Sequence, residues 1–331
     1  MRRLFCVLLL ASGLVGCQSS SSTTSETGTE SGQRQKVTLA LNWFPEAEHG
    51  GYYAALVNGH YEEEGLDVEI QPGGPGVPVI QNVASGRVMF GIGNADQVLV
   101  GRDKEADVVA LLAPLQMSPR CIMVHEKSGI RRLQDLKNMT LAVGSGKAYL
   151  EYLKTKVSLE NVKLVPYPGS IAMFLKNEDF GQQGYVFSEP FVARQQGGDP
   201  HVLMVSEIGF NPYTSLLVTH GEMVTGQEAL VAKVVRASRR GWQDYLANPR
   251  TVNAYIHKVN PEMDMESLQF GVEAIQPLCL PENMSPTELG AMSLERWQAL
   301  SNQLKEIDWL DAELDPATAF ESRFIEAAPG S

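Results

Sequence analysis

The sequence lacks the excess of positive charge that nucleic-acid binding requires. Its 331 residues include 27 lysines and arginines against 39 aspartates and glutamates, which gives a formal net charge of −12 at pH 7. Binding to a phosphate backbone depends on clustered Lys and Arg side chains. We therefore expect no nucleic-acid partner for this acidic chain.

Cysteine and histidine are also scarce. The chain has four cysteines and six histidines, with no Cys-x-x-Cys pair and no His/Cys cluster. We therefore expect neither a metal site nor a bound cofactor. Cys121 and Cys279 leave two alternatives open, because they would either pair in an oxidising compartment or stay as small buried apolar side chains.

Long apolar runs are missing from the body of the chain, where nothing approaches the ~18 residues of a membrane-spanning helix. The N-terminus has a shorter run, in which Met1-Arg2-Arg3 precedes apolar Leu4–Leu14 and then Val15-Gly16-Cys17. This pattern indicates a signal peptide over residues 1–16. Its end resembles a bacterial lipobox, in which the cysteine is lipidated. The alternative is an ordinary signal peptide with a chance cysteine.

Lipidation of Cys17, with palmitate as an expected acyl chain, would anchor the protein to a membrane in the cell envelope, on the periplasmic or extracytoplasmic side. Residues 18–35 consist of polar residues and glycine, with no apolar side chain. Such a segment does not bury enough surface to fold. We therefore predict a lipid-anchored flexible linker over residues 17–35, followed by a globular body.

From Val37 onwards, strand patterns alternate with helical patterns. Val37–Leu41 is apolar enough for a buried strand, and Leu66–Ile70 alternates with a period of two. This alternation predicts a mostly parallel sheet with helices on both faces, against which a helical C-terminal segment packs. The predicted elements include a strand over Gly184–Phe187 and a helix over Leu289–Ile307.

Asn42 and Trp43 directly follow the first predicted strand. Ligands of open α/β sheets bind at the carboxyl ends of strands, so we expect these two residues to face a ligand cleft. The Asn42 amide can pair with the edge of a heterocycle, and the Trp43 indole can stack on a flat ring. The alternative is that Trp43 fills a core and Asn42 caps a turn.

Glu189 follows the predicted strand of "YVFSEP". A carboxylate is costly to bury there without a partner. A ligand amine would supply that partner, and a salt bridge to Arg194 is the alternative.

Gly144-Ser145-Gly146-Lys147 precedes a predicted helix that ends at Lys156. Free N–H groups at a helix start suit an anion or a polar oxygen, so Ser145, Gly146 and Tyr149 are candidate ligand contacts. The alternative is that Ser145 only caps the helix. The segment does not match the phosphate-binding pattern GxxxxGK[ST].

Three further residues are candidate ligand contacts. His49 lies early in the helix after the first loop, where it would hydrogen-bond the ligand or cap the helix. Asn94 follows a predicted strand, whereas nearby Asp96 is interpreted as a helix N-cap. Tyr213 precedes a strand that returns to the first sheet and would close one wall of the cleft.

Several segments occur in a familiar order. They are "LNWFP", "YEEEGLDVEI", "VASGRVMFGIGNADQ", "LQDLKNMTLAVGSGKAYLEYL", "GYVFSEPF" and "NPYTSLLVTH". This order resembles type II solute-binding proteins of ABC transporters. Between residues 36 and 319 the chain is most similar to the branch that includes thiamine-pyrimidine precursor binding proteins and the fungal pyrimidine synthase.

The resemblance implies the two-lobed α/β fold of type II periplasmic binding proteins. Each lobe would be a mostly parallel sheet flanked by helices, and two crossover strands would form the hinge. Lobe 1 would comprise residues 36–122 and 217–331, and lobe 2 residues 123–216, with the ligand enclosed between them. Relatives have an Asn-Trp or Asp-Trp pair at positions 42 and 43. Pyrimidine-binding relatives have an acid at Glu189, which would accept from an exocyclic amine and a protonated ring nitrogen.

The resemblance also implies a function. We expect a monomeric receptor that captures a small planar solute and delivers it to the permease and ATPase subunits of an ABC importer. An aminopyrimidine precursor of thiamine is the leading ligand. Riboflavin, a sulfonate or nitrate remain alternatives, as does a sensor-type binding protein.

An enzymatic function is disfavoured, and no catalytic residue is predicted. The fungal pyrimidine synthase holds pyridoxal phosphate on a Lys and has a reactive His. The positions that match these residues in this chain are Gly93 and Gln97. Its cysteine-rich iron-binding run matches Phe210–Thr214, which has no cysteine.

Overall fold

The computed structural model describes residues 34–311 and 313–326. The predicted signal peptide, the anchor residue Cys17 and the predicted linker up to residue 33 lie outside the described residues. All statements below concern the compact unit that begins at Arg34.

The described strands form two five-stranded sheets. The strands are β1 Gln35–Ala40, β2 Leu66–Gln71, β3 Phe90–Gly93, β4 Val108–Leu112, β5 Arg120–His125, β6 Thr140–Val143, β7 Lys163–Pro166, β8 Phe180–Tyr185, β9 Pro200–Met204 and β10 Leu216–His220. The first sheet has the order β2-β1-β3-β10-β4, and the second has the order β7-β6-β8-β5-β9.

Helices flank both sheets. They are α1 Gly50–Val57, α2 His60–Glu63, α3 Val79–Ala84, α4 Ala95–Asp103, α5 Ala148–Lys156, α6 Ala172–Lys176, α7 Glu189–Gln195, α8 Gly221–Gly226, α9 Glu228–Ala247, α10 Arg250–Val259, α11 Met265–Cys279, α12 Leu294–Glu306 and α13 Arg323–Glu326. We call the first sheet with its helices lobe 1, and the second sheet with α5, α6 and α7 lobe 2.

Each sheet has one strand that runs against the others. In lobe 1, β10 is antiparallel to β3 and β4, whereas β1 is parallel to β2 and β3. In lobe 2, β5 is antiparallel to β8 and β9, whereas β6 is parallel to β7 and β8. The reversed strands β5 and β10 are those that the chain enters after crossing between the sheets. The predicted two-lobed fold with mostly parallel sheets is therefore confirmed.

The two crossings, residues 113–119 and 205–215, run side by side. Leu115 pairs with Thr214 in an isolated antiparallel bridge, and the Ser118 N–H donates to Asn211 Oδ1 at 2.7 Å. We propose that the lobe boundaries lie within these crossings. The predicted boundaries at 122/123 and 216/217 fall slightly later, inside β5 and β10.

Arg296 of α12 joins both crossings. Its guanidinium donates to the carbonyl oxygens of Gln116, at 2.5 Å, and Asn211, at 3.0 Å. A core cluster extends from Val98 of α4 through Trp297 of α12 to Leu153 of α5. Apolar packing is therefore continuous between the lobes on the hinge side.

The paired glycines of "EHGGYY" lie where α1 packs against α9 in the core of lobe 1. A Cβ atom on Gly50 would lie 1.9 Å from the Tyr245 ring, and one on Gly51 would lie 2.1 Å from the Trp242 ring. Helix α1 therefore approaches α9 closely only because these two positions have no side chain. This contact fixes the start of α1, and with it the loop that precedes it.

Two predicted elements differ from the structure in their bounds, and one helix was not predicted. Strand β8 ends at Tyr185 instead of Phe187, and α7 then begins at Glu189, where no helix was predicted. The predicted helix from Leu289 begins only at Leu294, because Gly290 is left-handed, with φ +90°, and Ser293 caps the helix by accepting from the Arg296 N–H.

Cys121 and Cys279 are both buried and free, so no disulfide joins them. They lie in β5 and α11, and burial raises the pKa of both thiols. The structure therefore shows the second alternative, in which each cysteine is a small buried apolar side chain.

No helix in residues 34–311 or 313–326 is long and apolar enough to cross a membrane. Within the same residues, no group of three or more His, Cys, Asp or Glu side chains is arranged to hold a metal ion.

Candidate ligand-binding cleft

The loop after β1 is held against the turn after β2. The Gly73 N–H donates to the Trp43 carbonyl oxygen at 3.0 Å. A Cβ atom on Gly73 would lie 2.2 Å from the Leu41 carbonyl oxygen, so the two backbones approach this closely only with glycine. Trp43 is half-buried and packs edge-to-face on exposed Phe44, with ring centroids 5.5 Å apart.

Asn42 and His49 are hydrogen-bonded to each other. His49 Nδ1 faces the Glu46 N–H at 3.4 Å, so Nε2 carries the proton and donates to Asn42 Oδ1 at 2.8 Å. This bond occupies the Asn42 amide oxygen and leaves its NH₂ group available as a donor. His49 lies in a 3-10 turn over Ala47–His49, immediately before α1.

Glu48 is fully buried beside His49. Its carboxylate oxygens lie 3.1 Å from His49 Nε2 and 3.4 Å from Ser215 Oγ. Ser215 is left-handed, with φ +56°, and its carbonyl oxygen accepts from the Tyr52 hydroxyl at 2.9 Å. A strained residue other than glycine persists only where its surroundings fix it, and such residues concentrate at functional sites.

Asn94 is the N-cap of α4, so the interpretation of Asp96 as the cap is wrong. Asn94 forms a capping box with Gln97, and its Oδ1 also accepts from the Ser215 N–H at 3.3 Å. The Asn94 side chain reaches the Tyr185 side chain of lobe 2. Asp96 is the second residue of α4, with one buried carboxylate oxygen that has no hydrogen-bond partner among the described residues. Burial raises the pKa of Asp96.

Glu189 is the first residue of α7 and folds back on the end of β8. One carboxylate oxygen accepts from the Tyr167 hydroxyl at 2.8 Å, and the other accepts from the Tyr185 N–H at 2.7 Å. The alternative predicted for Glu189 was a salt bridge to Arg194, and Glu189 makes these two hydrogen bonds instead. The Arg120 guanidinium lies over the Tyr185 ring, 4.2 Å from its centroid.

The two lobes meet at Glu46 and Ser188. The Ser188 hydroxyl donates to Glu46 Oε2 at 3.4 Å, and Glu46 is only 6% exposed. Burial, followed by repulsion from Glu48 and Glu189, raises the pKa of Glu46 well above its ordinary value. Glu46 and Glu48 were not among the site residues predicted from the sequence. The available signal was a pair of acids between a buried strand and a buried helix, in "FPEAEHGGYYAA".

The loop over residues 144–147 is largely exposed, and Gly146 is left-handed with φ +63°. The N-cap of α5 is Lys147, so the alternative that Ser145 caps this helix is wrong. Tyr149 is buried and its hydroxyl donates to Gln183 Oε1, which also accepts from the Gly144 N–H at 2.6 Å. Burial raises the pKa of Tyr149 to about 12.

Tyr213 is buried at the hinge. Its hydroxyl accepts from the Ser293 N–H at 3.0 Å, and the Arg296 guanidinium lies 3.8 Å from its ring centroid. Its carbonyl oxygen accepts from the Ala95 N–H at 3.0 Å, which places its backbone beside the start of α4.

The structure thus connects some of the predicted site residues and separates others. Asn42 contacts His49 directly, Asn94 reaches both Ser215 and Tyr185, and the loop of Trp43 meets the loop of Glu189 through Glu46 and Ser188. No hydrogen bond within the described residues links Ser145, Gly146 or Tyr213 to the residues in this group. The connected group offers carboxylate, amide and phenol groups beside aromatic rings, which suits a flat solute rich in hydrogen-bond donors.

Two small cavities lie away from this group. One, of about 190 Å³, is bordered by Gln243 and Leu289, and the other, of about 180 Å³, is bordered by His125 and Asp199. Neither is lined by a residue of the candidate site, where the two lobes contact each other.

The chain matches the protein family described as NMT1/THI5 like over residues 46–252. The formylaminopyrimidine-binding protein of Halalkalibacterium halodurans is 24% identical over 330 residues, covering 97% of this chain and 98% of the relative. The riboflavin-binding protein RibY of Chloroflexus aurantiacus is 23% identical over 308 residues, covering 88% and 86%. The structure of the periplasmic aliphatic sulphonate binding protein SsuA from Escherichia coli has a TM-score of 0.68 at 13% identity, covering 87% and 92%, which shows a shared fold.

Proposed function

The chain belongs to the NMT1/THI5-like family, and we propose that it is the solute-binding component of an ABC importer. In this role the two lobes enclose a small solute, and the closed form docks on the permease. The names of relatives support a binding protein, and the two-lobed fold with its paired crossings supplies the hinge that such a role requires.

We propose a small planar aminopyrimidine, a precursor of thiamine, as the solute. The observation that carries this choice is the contact between the Trp43–Glu46 loop of lobe 1 and the Ser188–Glu189 turn of lobe 2. The indole of Trp43, the amide of Asn42 and the carboxylates of Glu46 and Glu189 belong to the segments that lead into this contact, which supports the choice. The Trp43 face would stack on the ring, and Glu189 would accept from the exocyclic amine.

The remaining predicted contacts complete this proposal. Asn42 would donate to the ring edge, and Asn94 would approach the solute from α4. His49 would act by orienting the Asn42 amide, given its 2.8 Å hydrogen bond to Asn42 Oδ1. Ser145, Gly146, Tyr149 and Tyr213 would form the outer walls.

We also propose that the protein works outside the cytoplasm, as a monomer tethered to a membrane through lipidated Cys17. This part rests on the N-terminal sequence, Leu14-Val15-Gly16-Cys17, and on the polar linker that follows. Its partners would be the permease and ATPase subunits of the importer. No catalytic role is proposed.

Riboflavin is the second candidate solute, because a relative of similar coverage is named as a riboflavin-binding protein. Sulfonate and nitrate are less well supported, because the acids Glu46, Glu48 and Glu189 interact at the cleft and the cation beside them, Arg120, already interacts with Glu189.

A thermal-shift screen of the purified globular body tests the proposal. Formylaminopyrimidine, riboflavin, nitrate and an alkanesulfonate would be added separately. A ligand at 100 times its dissociation constant adds about 2.7 kcal/mol to the free energy of unfolding. We expect stabilisation by the aminopyrimidine. Stabilisation by riboflavin or an anion alone would overturn the choice of solute, and turnover of any of these compounds would overturn the binding-protein assignment.

A further inference from the structure

Glu46 is a buried carboxylate for which the described residues provide no ion pair. Its side chain lies at the junction between the lobes, where it accepts from the Ser188 hydroxyl at the long distance of 3.4 Å, and it also accepts from the His49 N–H in a capping box. A charge buried with so little compensation is unfavourable unless it is neutralised or paired.

The neighbouring acids each have a basic side chain nearby. Glu48 Oε1 lies 3.1 Å from His49 Nε2, Arg120 interacts electrostatically with Glu189, and Lys147 does so with Asp96. Glu46 has no ion pair among the described residues, and its charged neighbours are two acids, Glu48 and Glu189. A cation at the lobe junction would therefore supply the positive charge that Glu46 lacks.

A cationic ligand group would satisfy Glu46 and Glu189 together. The two residues belong to different lobes, and Ser188, which contacts Glu46, is adjacent to Glu189 in the chain. A cation between the two carboxylates would remove their mutual repulsion and favour the closed arrangement of the lobes. A phosphate or sulfonate at the same place would add to the repulsion.

We propose that Glu46 is a specificity-determining residue which, together with Glu189, selects a planar solute with a protonated amine or amidine over a neutral or anionic solute of the same shape. This inference rests on the proposed function and narrows its ligand class. In this proposal Glu46 discriminates between solutes by their charge. A protonated acid that only stabilises the lobe interface would not do so.

The test compares two pyrimidines that share one ring. Titration calorimetry at pH 7 would use 4-amino-5-aminomethyl-2-methylpyrimidine, whose side-chain amine is protonated, and its neutral 5-hydroxymethyl counterpart. We expect the aminomethyl compound to bind about tenfold more tightly, the lower end of the effect of a hydrogen bond to a charged group. Glu46→Gln should reduce this preference to less than about threefold. Exposed Glu69 of β2 offers the matched control, because Glu69→Gln makes the same change of net charge outside the cleft.

A second measurement uses the wild-type protein alone and so does not depend on how the variant folds. Titration of the aminomethyl compound in buffers of different ionisation enthalpy reports the protons released on binding. We expect proton release above pH 4.5, at pH values up to the raised pKa of Glu46, because a cation would lower that pKa. His49, Glu48, Glu189, Tyr167 and Tyr245 also face Glu46, and Arg120 interacts with Glu189, so Glu46→Gln should remove most of the release and Glu69→Gln none of it.

The outcomes separate the inference from the proposed function. Equal affinity for the two pyrimidines, or a preference that survives Glu46→Gln, would overturn the role of Glu46 and leave the solute-binding function standing. Failure of both pyrimidines to bind, together with binding of riboflavin, would overturn the inference and the proposed solute together.

Discussion

The rings of Phe191 and Phe270 stack, with centroids 4.3 Å apart and planes inclined by 12°. Phe191 lies in α7 of lobe 2, and Phe270 lies in α11, which packs on the core of lobe 1. Gln195 and Glu266, on the same two helices, are hydrogen-bonded at 3.2 Å. The pair therefore joins the lobes through side chains that are not among the proposed ligand contacts.

Phe270→Ala should weaken ligand binding without removing a ligand contact. Stacked aromatic pairs contribute about 0.5–1.5 kcal/mol beyond burial, so loss of the pair should destabilise the closed arrangement and reduce affinity by roughly 2-fold to 12-fold. The change should appear mainly as faster dissociation in stopped-flow fluorescence. Met265→Ala, at an exposed position of the same helix, is the control. Equal dissociation rates for both variants would show that the stack does not stabilise closure.

Glu189→Gln should weaken binding of an aminopyrimidine by roughly 1.5–3 kcal/mol, the range for a hydrogen bond to a charged group. In the structure Glu189 also accepts from the Tyr167 hydroxyl and the Tyr185 N–H, so the effect of one hydrogen bond can be separated from the effect of the carboxylate charge. Tyr167→Phe removes one of these bonds and keeps the carboxylate, so it should reduce affinity less. Calorimetry of both variants measures the difference. Unchanged affinity in Glu189→Gln would exclude Glu189 from the site.

The free energy of unfolding should depend on pH through the titration of Glu46. Burial first, and then Glu48 and Glu189, raise its pKa above the ordinary value near 4.5. The folded state therefore binds a proton more tightly than the unfolded state at this residue. Its contribution to stability is complete below pH 4.5 and is lost as the pH rises through the raised pKa.

Glu46→Gln should abolish the loss of stability that deprotonation of Glu46 causes as the pH rises. Without ligand, the variant should therefore gain stability relative to the wild type as the pH rises from 4.5 through the raised pKa, with a tenfold change in acid dissociation constant equivalent to about 1.4 kcal/mol. Urea unfolding of both proteins across this range measures the gain. A difference in stability that does not vary with pH would mean that Glu46 is not perturbed by burial.

Cys17→Ser should release the protein from membranes. Acyl chains hold a protein at a bilayer through buried methylene groups, and a serine hydroxyl does not receive them in the lipobox pathway. Fractionation of cells that express the wild type and the variant measures the shift from the membrane fraction to the soluble fraction. Retention of Cys17→Ser in the membrane fraction would refute lipidation.

The parts of the fold that were predicted from sequence are those set by local pattern. β1 and β6 are short apolar runs closed by turn residues, and the long helices α9 and α10 carry clear helical periodicity. The reversed fourth strand of each sheet was not predicted, and the resemblance implied only that two strands cross between the lobes. Its direction depends on contacts between distant segments, such as Leu217 with Ile92.

The candidate site was predicted only in part for the same reason. Asn42 and Trp43 were predicted as ligand contacts because they directly follow β1, and position relative to a strand can be read from sequence. Burial of Glu46 depends on Ser188, which is 142 residues away in the chain. The pattern likewise did not reveal that the Tyr213 side chain points to Arg296 at the hinge.

A crystal structure of the protein with a bound aminopyrimidine tests the central claim most directly. We predict a pyrimidine ring between the lobes, stacked on the Trp43 indole, with its exocyclic amine donating to Glu189. A ligand bound at another surface, or one between the lobes that touches neither Trp43 nor Glu189, would contradict the account.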